Sequence, residues 1–138
     1  MAFVFGTTSS GGGVQTVTLS FFLECAAQLF NITGSGSIFI ADKALQLTSV
    51  KVVYPDNSNT GATLQIQKLT GTTVPGSGTN LLQSGIALDG TINTVLSGTL
   101  TATTANLQFA VGDRIGATFG GSPQSDVVYT TILTLKKI

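Results

Sequence analysis

The run Asp126–Lys137 (DVVYTTILTLKK) constrains what this chain can fold into more than any other stretch. Val127, Tyr129, Thr131, Leu133 and Leu135 fall on one parity. A period of two is the signature of a strand with one buried face and one wet face. At about 3.3 Å per residue the run reaches roughly 40 Å, enough to cross a whole sheet. A bare apolar edge of that length would template aggregation, so the strand is expected to be paired on both sides.

Two earlier stretches carry the same signal, Leu45–Tyr54 (LQLTSVKVVY) and Ala62–Leu69 (ATLQIQKL). In the second, Ala62, Leu64 and Ile66 oppose Thr63, Gln65 and Gln67. The first changes phase near Thr48–Ser49, which predicts either a bulge or a strand covered on both faces. Between them, PDNSNTG is turn chemistry. The spacing predicts a central antiparallel pair on which the other strands assemble.

The rest of the chain is read as further strands and turns. Val14–Leu23 and Ser37–Ala41 are strands, and Glu24–Asn31 (ECAAQLFN) permits one or two helical turns. After the loop TGTTVPGSGTN come short apolar pieces at Leu81–Leu82, Ile86–Leu88 and Thr94–Leu100. Leu107, Phe109 and Val111 alternate before a turn at Gly112–Asp113. Arg114–Phe119 is a strand, and GGSPQS from Gly120 is a turn. Some eight short strands with Gly-rich turns indicate an all-β antiparallel β-sandwich of jelly-roll type, with an immunoglobulin-like sandwich as the alternative.

Residues 1–13 stand apart from this single domain, 14–138. An apolar tip, Ala2–Phe5, sits on a flexible tether, Gly6–Gly13. The tip either folds back as a strand on its own domain or reaches a neighbouring subunit by strand addition or groove filling.

Of 138 residues, 42% are hydrophobic and only 9% are charged, with six basic and six acidic side chains cancelling. So much apolar content predicts a folded core. So little charge leaves a surface of Thr, Ser, Gly, Asn and Gln, which resists association weakly and suits an assembly component. Lys43, Lys51, Lys68 and Arg114 are scattered and only Lys136–Lys137 adjoin, so no nucleic-acid partner is expected. Neither a secretory signal nor a membrane-spanning run is read, and synthesis in a cytosol is the default expectation. Cys25 is alone, in the apolar context FFLECAAQLF, and reads as an inert buried thiol.

Chemistry is hard to find. The chain has no histidine, the commonest general base and metal ligand. Glu24, Asp42, Asp56, Asp89, Asp113 and Asp126 are spread along it, mostly at turns, where aspartate serves the backbone. Asp56-Asn57-Ser58-Asn59 is the one dense oxygen cluster and reads first as a turn. Phosphate-binding glycine motifs are absent. No catalytic residue, metal or cofactor is assigned. A carbohydrate platform needs exposed flat aromatics, and only Tyr54 and Tyr129 are available to a fibre- or adhesin-type module.

From Ile38 to Ile138 the chain resembles the small all-β decoration or cement proteins on the heads of tailed bacteriophages. The resemblance is carried by QKLTGT at Gln67–Thr72, the L-x-G-T-x-N-T-V segment at Leu88–Val95, and AVGDRIG at Ala110–Gly116. It implies a non-enzymatic jelly-roll subunit, trimeric, bound to the capsid surface and bridging major capsid proteins after expansion. Made in the host cytoplasm, such a subunit would be a virion component. In that role Phe3, Val4 and Phe5 are the expected partner contacts, and Leu133, Leu135 and Ile138 a subunit seam.

Overall fold

The stripe at the end of the chain is buried as a unit. Val127, Tyr129, Thr131, Leu133 and Leu135 are all 5% exposed or less, while Ile132 on the opposite parity is half open. The computed structural model describes residues 4–9, 16–24, 36–56, 60–123 and 127–138. Its strands are β1 (Val4–Ser9), β2 (Thr16–Glu24), β3 (Gly36–Ile40), β4 (Leu45–Val53), β5 (Thr60–Leu69), β6 (Thr79–Asn80), β7 (Ile86–Ala87), β8 (Leu96–Ser97), β9 (Gln108–Phe109), β10 (Arg114–Ser122) and β11 (Val128–Lys137).

They form two sheets. One runs β1-β2-β11-β4-β8, with β9 also on β4, and the other runs β3-β10-β5-β6, with β7 also on β5. Every pairing is antiparallel. From β2 to β5 successive strands alternate between sheets, and β10 and β11 return to lie inside the strands that opened the wrap. This is a jelly roll, a β-sandwich in which β2, the strand that opens the wrap, and β11, the strand that closes it, are neighbours. β11 is paired on both sides, with β2 and β4, as its length demanded.

The predicted pairing of Leu45–Tyr54 with Ala62–Leu69 does not form. β4 and β5 lie in opposite sheets, and the linker crosses between them. Leu47, Val50 and Val52 therefore meet Ala62, Leu64 and Ile66 across one core, where a hairpin would have left the core with a single wall. The phase change in β4 is a bulge: Ser49 pairs Thr134 and Leu47 pairs Leu135, leaving Thr48 unopposed. Its hydroxyl donates to the Thr134 carbonyl at 3.0 Å.

Other boundaries shift for local reasons. β10 runs through Gly120–Ser122, where a turn was expected. Gly121 takes φ 68°, and the register slips between Gly120 and Ser122, so the glycines bend a strand instead of ending it. The alternation expected to reach Val111 stops at Phe109. A 3-10 turn covers Thr104–Leu107, and Val111 is 71% exposed in the turn that Gly112, at φ 90°, makes possible. Glu24, expected to open the helical turns Glu24–Asn31, is the last residue of strand β2, and the remainder of that stretch, with Cys25, lies outside the described residues.

The core is aromatic at one end. Tyr129 stacks obliquely between Phe119 at 5.0 Å and Tyr54 at 6.2 Å. Thr131 sits in the same buried stripe, and its hydroxyl has no hydrogen-bond partner. Replacing that hydroxyl by a methyl of the same shape removes an uncompensated polar group. Thr131→Val is accordingly expected to stabilise the protein by about 1 kcal/mol. The check is a higher denaturant midpoint at unchanged slope.

Candidate interaction surface

The outer face of the larger sheet is built by the off-parity residues of β2, β11 and β4. Its rows are read from the register: Phe22–Thr130–Val53, Ser20–Ile132–Lys51, Thr18–Thr134–Ser49 and Thr16–Lys136–Gln46. The face is hydroxyl-rich, with two lysines, the exposed Ile132 and the partly buried Val53. Its centre, Thr130, Ile132 and Thr134 of β11 with Thr18 and Ser20 of β2, carries no charge, and depletion of charge is what the centre of a protein interface shows.

The N-terminal segment extends this sheet. Val4–Ser9 pairs with β2, Val4 opposite Phe21 and Ser9 opposite Thr16. Val4 and Phe5 of the apolar tip thus lie in a strand on the chain's own domain. The paired segment also runs through Gly6–Ser9, which the sequence suggested as tether. Phe3 lies outside the described residues. Val4 and Phe5 occupy the outermost strand, whose other edge faces no strand among the described residues.

The seam residues fare differently. Leu133 and Leu135 are 0% exposed and pack in this chain's own core, so they are closed to a neighbouring subunit. Their parity, shared with Tyr129, turns them inward. Ile138 is 51% exposed and remains on the surface.

Tyr54 is no sugar platform. Its ring is 1% exposed, its phenol oxygen accepts from the Gly90 N–H at 2.9 Å, and its carbonyl accepts from the Asn93 N–H at 2.9 Å. Tyr129 is fully buried as well.

The ionisable and amide groups hold loops. Asp89 Oδ2 accepts from the Gly61 N–H at 3.1 Å, and Asp113 Oδ2 from the Ala110 N–H at 2.9 Å, which is the turn role read for aspartate. Arg114 donates to the carbonyls of Gly71 (2.9 Å) and Thr73 (2.7 Å) and to Ser37 Oγ (3.2 Å). Buried Gln67 donates to Asn80 Oδ1 and accepts from the Gly76 N–H, both at 2.8 Å. Gln65 plays the part of a strand backbone, with its amide paired to the N–H and carbonyl of Leu82. Among the described residues no group of three His, Cys, Asp or Glu could hold a metal. Residues 57–59 of the oxygen cluster lie outside them. A shallow open depression of about 280 Å³ between β7 and β8 is lined by residues 84–87 and 96–99, none of which ionises.

No family model and no curated protein matches the chain. Among solved structures it is similar to a chain of infectious bursal disease virus Gx strain, at 13% identity and a TM-score of 0.40, covering 99% of this chain and 32% of that one. It is also similar to a chain of the infectious bursal disease virus VP2 subviral particle, at 14% identity and a TM-score of 0.41, with the same coverage. The chain thus spans about a third of the length of these structures.

Proposed function

We propose that this chain is a non-enzymatic structural protein of a virion. In this reading it coats the outside of a tailed-phage capsid and bridges major capsid subunits of the expanded lattice. The observation that carries the proposal is the outer face of the larger sheet: broad, paired strand to strand, rich in hydroxyls and uncharged along its middle strand from Thr130 to Thr134. Hydroxyls cost less to desolvate than charges and can hydrogen-bond to a partner that covers them. The sequence resemblance over Ile38–Ile138 points the same way. It also supports assembly as a trimer on the shell after synthesis in the host cytoplasm.

The physics of the role is linkage. A subunit that binds only the expanded lattice stabilises that lattice by mass action, and many modest contacts on one shell act together. The test is binding of the purified chain to shells of the phage that encodes it, before and after expansion. Saturable binding to expanded shells, with a higher temperature of shell disruption, is the expected result. Equal binding to both forms, or to neither, contradicts the role.

A further inference from the structure

The jelly roll sorts the charges that look scattered in the sequence. β3 ends at Ile40, β5 ends at Leu69 and β10 begins at Arg114, and these three residues are register neighbours. β4 begins at Leu45 opposite Lys137, near the close of β11, and the Ile138 N–H reaches the Ala44 carbonyl at 3.3 Å. The short connection 41–44 joins the two sheets here, so all these termini share one end of the sandwich. That end holds Lys43, Lys68, Arg114, Lys136 and Lys137, none of them buried. Against these five cations stand two carboxylates, Asp42 and Asp113. The end has an excess of three positive charges, and because the chain sums to zero the rest of it carries three negative ones.

The opposite end collects the complement. Asp56 follows β4 there, Asp89 caps Gly61 there, and Glu24 closes β2 opposite Val128. The ends are separated by the length of β4, about 30 Å, several screening lengths at physiological salt. They therefore act as two separate poles. Exposed apolar side chains follow the same division. Of the seven large hydrophobics exposed among the described residues, Ile40, Val74, Val111 and Ile138 sit at the basic pole, and Ile92 and Val95 at the acidic one. Only Ile132 lies on a sheet face.

We propose that copies of this chain associate head to tail, the basic pole of one seated on the acidic pole of the next. Each pole offers what the other lacks in charge, and each adds apolar area that a side-by-side arrangement would leave in water. Such a contact is heterologous: it closes a ring when the rotation between copies permits and otherwise extends. It stands independently of the virion role, since it rests on this chain's own two ends.

The test uses the purified full chain in analytical ultracentrifugation at about 20 mM and about 500 mM salt, between which the screening length falls from roughly 20 Å to roughly 4 Å. Self-association at low salt, weakened at least about tenfold at high salt, is expected. A triple variant, Lys43→Glu, Lys136→Glu and Lys137→Glu, makes both poles acidic. A second triple variant, Asp56→Lys, Thr91→Lys and Thr94→Lys, takes the acidic pole from three negative charges to one positive charge. Each alone is expected to sediment as a monomer, with wild-type circular dichroism, and their equimolar mixture to associate again. A wild-type monomer at both salts overturns the proposal. So does association that ignores salt and charge reversal, or a mixture of folded variants that stays monomeric.

Discussion

Leu133→Asp is expected to abolish the folded state at room temperature, whereas Ile138→Asp, five residues on, leaves it intact. Leu133 is 0% exposed and sits between Leu19 of β2 and Val50 of β4 in the middle of the larger sheet. A carboxylate there has no partner to pair with, and an unpaired buried charge costs several kcal/mol even when it takes up a proton. The total stability of a domain this size is about 5–15 kcal/mol, and loss of the leucine adds a cavity term of roughly 2–5 kcal/mol. Ile138 is 51% exposed beyond the last ladder pair, so its substitution touches only surface. Thermal melts by circular dichroism check the pair. A folded Leu133→Asp protein would mean that β11 does not face the core as described.

Gly121→Ala is expected to cost about 3–4 kcal/mol. Of this, about 1–2 kcal/mol is the left-handed backbone, φ 68° here, that L-residues resist. The remainder, about 2 kcal/mol, is overpacking, because the new Cβ would run into the carbonyl of Gly61 and backbone has little room to yield. Gly112 separates the two effects. At φ 90° it has the same strain with nothing within 4 Å of a built Cβ, so Gly112→Ala is expected to cost only about 1–2 kcal/mol. Denaturant midpoints on the two variants measure the difference. Equal losses would mean that β10 does not bulge against Gly61.

What the sequence made legible was local. The stripe from Val127 to Leu135 predicted a long strand held on both sides, and β11 is that strand. The phase change at Thr48 left open a bulge or a strand covered on both faces, and the register shows the bulge. Hidden were the relations between strands. Period-two patterns state which side chains point inward but not which sheet a strand joins, so β4 and β5 read equally well as partners or as opposing walls. The glycines at 120 and 121 carry the same letters in a turn and in a bulge. Leu133 and Leu135 were assigned to a subunit seam although their own parity, shared with Tyr129, already turned them inward.

The candidate surfaces were less legible still. Lys43, Lys68, Arg114 and Lys136 are spread over more than ninety positions, and only the wrap of strands gathers them at one end. Sequence alone left Tyr54 available to a carbohydrate platform. Its burial follows from the turn 88–93, which folds back so that the Gly90 and Asn93 N–H groups meet it.

The proposed role comes down to whether this chain is carried by a particle. Quantitative mass spectrometry of virions purified from cells in which the chain is made measures that directly. The chain is expected in a fixed, near-integral ratio to the major shell subunit and to leave the particle without loss of the shell itself. Its absence from purified virions, while it accumulates free in infected cells, would contradict the account.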